Sequence, residues 1–145
     1  MKRAREDKRE AKAASTQAGE FVREEMEHIR EGKHGARSAK QAIAIGLSKA
    51  RRAGVKLPPP EKGTASKGVR KQAKRDLKKG AKKTHQNPSA KRSRAVKKAL
   101  KKEPHSAASH RALSRQAHAA ARKRSAADRS RAAKKAAATR KRNAR

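Results

Sequence analysis

The sequence predicts an all-α protein: a small helical hairpin head followed by a largely disordered, helix-prone cationic tail. Three observations predict it. Apolar residues recur at intervals of three and four across two stretches of the first 57 residues, the spacing of one helix face. Lys and Arg number 45 against 12 Asp and Glu, a formal net charge of +33, and only 32% of residues are hydrophobic, many of them Ala. Such a chain buries too little apolar surface to offset its ordering entropy over its whole length. The charge is also split: residues 1–60 carry fifteen Lys/Arg and eight Asp/Glu, whereas residues 61–145 carry thirty against Glu61, Asp76, Glu103 and Asp128. The resulting division is a charged N-terminal extension (1–19), the hairpin head (20–57), a Pro/Gly linker (58–68) and the basic tail (69–145).

In the head, Ala11, Ala14, Ala18, Val22, Met26 and Ile29 form the first stripe. Gly19 weakens its middle, so the first helix is expected to begin near Glu20, and Gly32 and Gly35 of "EGKHG" end it. Ser38 stands where an N-cap belongs, with Gln41 three residues on, as a capping box requires. Ala39, Ala42, Ile43, Gly46, Leu47 and Ala50 continue on one face, and Gly54 suits a left-handed C-cap. The hairpin therefore packs Val22, Met26 and Ile29 against Ile43, Leu47 and Ala50, with Gly46 allowing close approach. At roughly 1.5–3 kcal/mol per large buried side chain, so small a core is marginal, which points to a homodimer or a protein partner through the head. Phe21, the single aromatic, falls on the stripe and is read as core.

Pro58, Pro59 and Pro60 cannot continue a helix and read as a stiff spacer. Beyond them Gly63, Gly68, Gly80, Pro88 and Pro104 cut the tail into short segments. "RSRAVKKAL" (Arg92–Leu100) returns as "RSRAAKKAA" (Arg129–Ala137) with seven of nine positions identical, a match that common ancestry and biased composition explain equally well. Ala, Lys and Arg favour helix but like charges oppose it, so helix over 106–142 is expected to form only when a polyanion neutralises the tail.

The chemistry the chain carries is cationic. The candidate nucleic-acid contacts are Arg70, Lys71, Lys74, Arg75, Lys78, Lys79, Lys82 and Lys83; Lys91, Arg92, Arg94, Lys97, Lys98, Lys101 and Lys102; Arg122, Lys123 and Arg124; and Arg129, Arg131, Lys134, Lys135, Arg140, Lys141 and Arg142. A charge run is ordinarily a solvated face, but an excess of +33 on 145 residues calls for a polyanionic partner. Contacts of this kind go to phosphate and release counterions. Groove readout needs rigidly held side chains and single-strand stacking needs aromatic platforms, and neither is evident. "NPSAKR" (Asn87–Arg92) reads as an ordinary turn before a basic run. Of the six histidines, His105, His110 and His118 lack the i,i+4 spacing of a helical metal pair, and there is no Cys. No metal site, no cofactor and no enzymatic activity are expected. Without Cys there are no disulfides, "MKRAREDKREAKAAS" has no apolar signal region, and no run approaches the roughly 20 apolar residues of a membrane span, so a cytoplasmic, nucleoid-associated location is expected.

Two stretches, "FVREEMEHIREGKHG" and "SAKQAIAIGLSKARRAGVKLP", resemble a family of small basic bacterial proteins with a domain of unknown function, some labelled plasmid stabilisation or DNA-binding. The pattern of a "VM-E" helix, a "GK-H-G" turn and a "KQAIAIGLS-AR-AG" box falls on Val22 to Met26, Gly32 to Gly35 and Lys40 to Gly54. Only Ala36 and Arg37 separate Gly35 from Ser38, where the family often has a longer linker, and Lys49 stands where an acidic residue is common. The tail resembles, in composition, Lys/Ala-rich linker-histone-like nucleoid proteins. The resemblance implies a bacterial protein with a DNA role.

The functional expectation is low-specificity binding to the DNA phosphate backbone, without membrane contact. RNA or ribosome association, and a protein-interaction module localised by its cationic tail, are the alternatives.

Overall fold

The protein is described by a computed structural model covering residues 2–82 and 89–143. Among the described residues seven α-helices follow one another: α1 (Lys2–Arg9), α2 (Ala14–Arg30), α3 (Ala39–Arg52), α4 (Lys67–Ala81), α5 (Ala90–Lys101), α6 (His110–Arg122) and α7 (Ala126–Asn143), with a 3₁₀ turn at His105–Ala108 before α6. The chain divides into two compact units, Met1–Ser109 and His110–Arg145.

The first unit is built on the antiparallel pair α2 and α3. Both helices end in the same way. Gly32 (φ +74°) and Gly54 (φ +90°) occupy the left-handed position. Gly32 N donates to Ile29 O and Lys33 N to His28 O; Gly54 N donates to Arg51 O and Val55 N to Ala50 O. These are complete Schellman motifs. At the other end of α3, Ser38 Oγ accepts from Gln41 N at 3.2 Å, and Gln41 Oε1 accepts from the backbone N–H of Arg37 at 2.8 Å. The capping box thus reaches one residue further back than the usual reciprocal bond to the cap residue itself.

Gly46 lies where the helices cross. A Cβ there would stand 2.7 Å from Val22 Cα and 3.1 Å from Phe21 O, so only Gly permits this spacing. Met26, Ile29, Ala42 and Ala50 are buried between the helices, and Val22, Ile43 and Leu47 are half-buried. Phe21 is buried with Ala4, Ala18, Ala50 and Val55, and Ala14, Leu47 and Leu57 pack on that cluster.

Residues 1–19 are more than an extension. They form α1 and the start of α2, which begins at Ala14 rather than near Glu20. Burial of Ala18 and Phe21 with Ala4 of α1 outweighs the roughly 0.5–1 kcal/mol that Gly19 costs inside a helix. The Pro58–Pro60 spacer is anchored by Arg51, which donates from Nε to Leu57 O (3.2 Å) and from its terminal nitrogen to Pro58 O (3.1 Å).

The expectation of a largely disordered tail does not hold: the described part of residues 67–143 is helical over most of its length. Helix propensity and capping outweigh charge repulsion here. Ser66 Oγ accepts from Val69 N at the start of α4, and Ser125 Oγ from Asp128 N at the start of α7. Gly68 and Gly80 lie inside α4 and do not break it. Helix α4 packs on α3, where a Cβ on Gly80 would fall 2.0 Å from Arg51 O. The C-terminus of α5 meets the loop between α2 and α3: Gly35 N donates to Leu100 O (2.8 Å) and Ala36 N to Pro104 O (3.0 Å). Arg30 Nε holds the 3₁₀ turn through Ala108 O at 3.0 Å. In the second unit, no described residue of α6 or α7 is fully buried; Ala-rich composition and capping carry these helices rather than a core.

Candidate nucleic-acid interface

Helix α4 shows how the cationic residues are displayed. Its inward side carries the buried Ala73 and Asp76 and the half-buried Leu77 and Gly80. Asp76, 1% exposed, accepts from Ser48 Oγ (2.6 Å), Arg52 Nε (2.9 Å) and Gln72 Nε2 (3.0 Å). Two of these donors lie on α3, so one buried carboxylate fixes the rotation of α4 about its axis. That rotation turns Lys71, Lys74, Arg75, Lys78 and Lys79 to solvent, with Lys82 exposed at the cap. Arg70 differs: it is half-buried, and its Nε is buried without a hydrogen-bond partner.

On α5, Lys91, Arg92, Arg94, Lys97, Lys98 and Lys101 are exposed, as is Lys102 at its cap. In the second unit Arg122, Lys123, Arg124, Arg129, Arg131, Lys134, Lys135, Arg140, Lys141 and Arg142 are all exposed. Lys83 lies outside the described residues, as do His85 and the Asn87–Pro88 part of the "NPSAKR" turn; α5 starts directly after Ser89. Among the described residues, Arg131 is the one of these cations with an acidic partner, Asp128. The hydroxyl of Ser125, and then Arg131, hold the Asp128 carboxyl below its ordinary pKa. Of the other acids, Asp76 is sealed against α3, Asp7 pairs with Lys12, Glu27 with Arg23, and Glu25 of α2 with Lys49 of α3. Arg51 stands apart from the exposed cations. Burial lowers its pKa, partly countered by Asp76, and its guanidinium serves the backbone of the Pro spacer.

One constellation was not anticipated from the histidine spacing. Glu25, His28 and His34 bring one potential ligand atom each within 4.8 Å of one another. The sequence signal was Glu25-x-x-His28, one turn apart on α2, with His34 just beyond a Gly turn. His34 comes back onto the helix because the Schellman motif at Gly32 reverses the chain.

Among the described residues no helix is long and apolar enough to cross a membrane. No curated protein and no solved structure matches the chain. Residues 8–62, which span α1's last turn, the α2–α3 hairpin and the Pro spacer, match the profile of a family of unknown function (DUF6496).

Proposed function

We propose that the protein is a non-enzymatic nucleic-acid-binding protein that engages the phosphate backbone of DNA with little sequence preference. What carries the reading is the display of the basic side chains. They stand on solvent faces of α4, α5 and α7, nearly all without acidic partners, on a chain of net charge +33. A folded protein gains nothing from such a face by itself, and self-repulsion opposes it; a polyanion removes the repulsion. The head supplies a small fixed body from which α4 presents its cations, and its half-buried Leu47 packs on the core of its own chain.

The test is a titration of duplex DNA at several salt concentrations. The logarithm of the binding constant should fall steeply with that of salt, by about 0.9 per phosphate contacted, and equally for unrelated sequences. Replacing Lys71, Lys74 and Lys78 on α4 by Gln should reduce the slope by roughly 2–3 without changing helix content. A salt-independent affinity, or strong preference for one duplex sequence, would refute the reading. Tighter binding to structured RNA in direct competition would reassign the partner.

A further inference from the structure

We propose that Glu25, His28 and His34 form a binding site for a divalent transition-metal cation of the zinc class. Glu25 is fully buried, and its two oxygens are unequally served. Oε2 accepts from the ammonium of Lys49. Oε1 is buried and has no hydrogen-bond partner. Leaving one oxygen of a buried carboxylate unserved costs on the order of 1–3 kcal/mol, so the site as drawn by protein groups alone is incomplete.

What Oε1 faces is the Nε2 of His34, 3.3 Å away. The other ring nitrogen of His34, Nδ1, lies 3.1 Å from the carbonyl oxygen of Gly35. A carbonyl oxygen only accepts, so Nδ1 carries the hydrogen. In a neutral imidazole Nε2 then presents a lone pair. Two lone pairs, from Nε2 and from Oε1, are aimed at each other, and a cation belongs between them. Bonds of about 2.0–2.1 Å to zinc in tetrahedral geometry separate adjacent ligand atoms by roughly 3.3 Å, which is the separation between Glu25 Oε1 and His34 Nε2; the His28 ligand atom lies within 4.8 Å of those of the other two residues. The Nδ1–H bond to a backbone carbonyl is also the outer contact that orients a metal-bound histidine, and a second donor on the carboxylate, here Lys49, is its counterpart.

His28 completes a three-residue set. It sits one turn after Glu25 on the same face of α2 and is half-buried. Its ring lies edge-on to that of His34 with centroids 6.4 Å apart. Two imidazoles and a carboxylate, with one position left for water, is a donor set that zinc accepts readily, as do cobalt and nickel. His28 borders a cleft of mixed charge, lined by Glu20, Glu24, Glu27 and Glu31 and by Arg3, Arg23 and Lys33. Lys33 pairs with Glu31 and Arg23 with Glu27 on its exposed rim, and Lys49 is already neutralised by Glu25. Such a metal would tie the last turn of α2 to the loop that leads into α3.

The experiment uses the full chain, freed of nucleic acid and chelated metal. Zinc is added in calorimetry, and cobalt is followed by its visible absorption. One zinc per chain is expected, cobalt should give the intense bands of a four-coordinate site, and zinc should raise Tm. His28→Ala and His34→Ala should each weaken zinc binding at least tenfold and abolish the cobalt bands, while His118→Ala in α6 leaves both unchanged. His28 is half-buried, so His28→Ala keeps the test valid if the loop variant loses helix by circular dichroism. Absence of stoichiometric zinc uptake by the wild-type chain, or unchanged uptake in His28→Ala, would overturn the proposal.

Discussion

Ala11 is the clearest residue-scale irregularity. It follows α1 with φ +51°, and it makes the same pair of bonds that Gly32 and Gly54 make: Ala11 N donates to Lys8 O and Lys12 N to Asp7 O. A left-handed turn here closes α1 and sends the chain into α2, and the Asp7 carboxylate, 7% exposed, then meets the ammonium of Lys12 at 2.8 Å. For a residue with a Cβ that conformation costs about 1–2 kcal/mol. Gly removes the penalty but gives back part of it in the unfolded chain. Ala11→Gly should therefore raise the unfolding free energy by about 0.5–1 kcal/mol, read as a shift in the urea midpoint at constant slope; an unchanged or lower midpoint would mean that α1 contributes nothing to cooperative stability. Ser38 and Gly54 were legible in the sequence because a cap is a local device, written in the few residues that form it. Ala11 was not, because an Ala gives no sign of a turn until α1 is seen to exist. Glu25 was hidden for a related reason: among eight acidic residues in the first 60, two are buried, Asp7 and Glu25, and only tertiary packing distinguishes them from the rest.

At the scale of elements, the hairpin was readable and the tail was not. Stripes on α2 and α3 repeat with the helical period, and the close approach at Gly46 follows from a glycine in the middle of the second stripe. In the tail, composition averaged over many residues concealed single positions that decide the outcome. Asp76 is one acid among thirty Lys and Arg in residues 61–145, yet it docks α4. The two halves of the internal repeat make the same point. Leu100 of α5 is half-buried, and its carbonyl receives Gly35 N; the equivalent Ala137 of α7 is exposed. Near-identical sequence therefore ends in two different environments. Asp76→Ala should release α4 from α3. The buried acceptor loses hydrogen bonds from Ser48, Arg52 and Gln72, each bond to a charged group being worth about 1.5–3 kcal/mol. Because Arg52 is half exposed and regains water, the net loss should be nearer 2–3 kcal/mol. Hydrogen exchange should show amides of residues 67–81 losing protection while those of α2 keep theirs. Equal loss in both helices would mean that α4 is part of one cooperative unit with the hairpin rather than docked upon it.

The whole molecule divides after Ser109, not at the triple Pro where the composition changes. Charge and packing therefore draw different boundaries, because packing follows α4, which is basic outside and yet tied inside to α3. The cations are consequently shared between a unit with a core and a unit without one. Residues 110–145 contribute thirteen Lys and Arg and one acid, Asp128, and among the described residues of this unit none is fully buried. If phosphate contact alone governs binding, each unit should contribute in proportion to the cations it engages and not to its tertiary structure. A chain ending at Ser109 should still bind duplex DNA, through α4 and α5, but with a smaller salt dependence. The slope should fall in magnitude by up to about 12, and by roughly half that if only half of the removed cations touch phosphate. The loss of affinity should accordingly be large at low salt and small at high salt. Circular dichroism of the shortened chain guards the comparison: α1 to α5 should keep their helix and their melting transition, because no contact named above within the first unit involves residues beyond Ser109. A slope unchanged by the truncation would assign α6 and α7 to some role other than phosphate binding. Complete loss of binding would place the interface in the second unit and leave the cations of α4 as a solvated face.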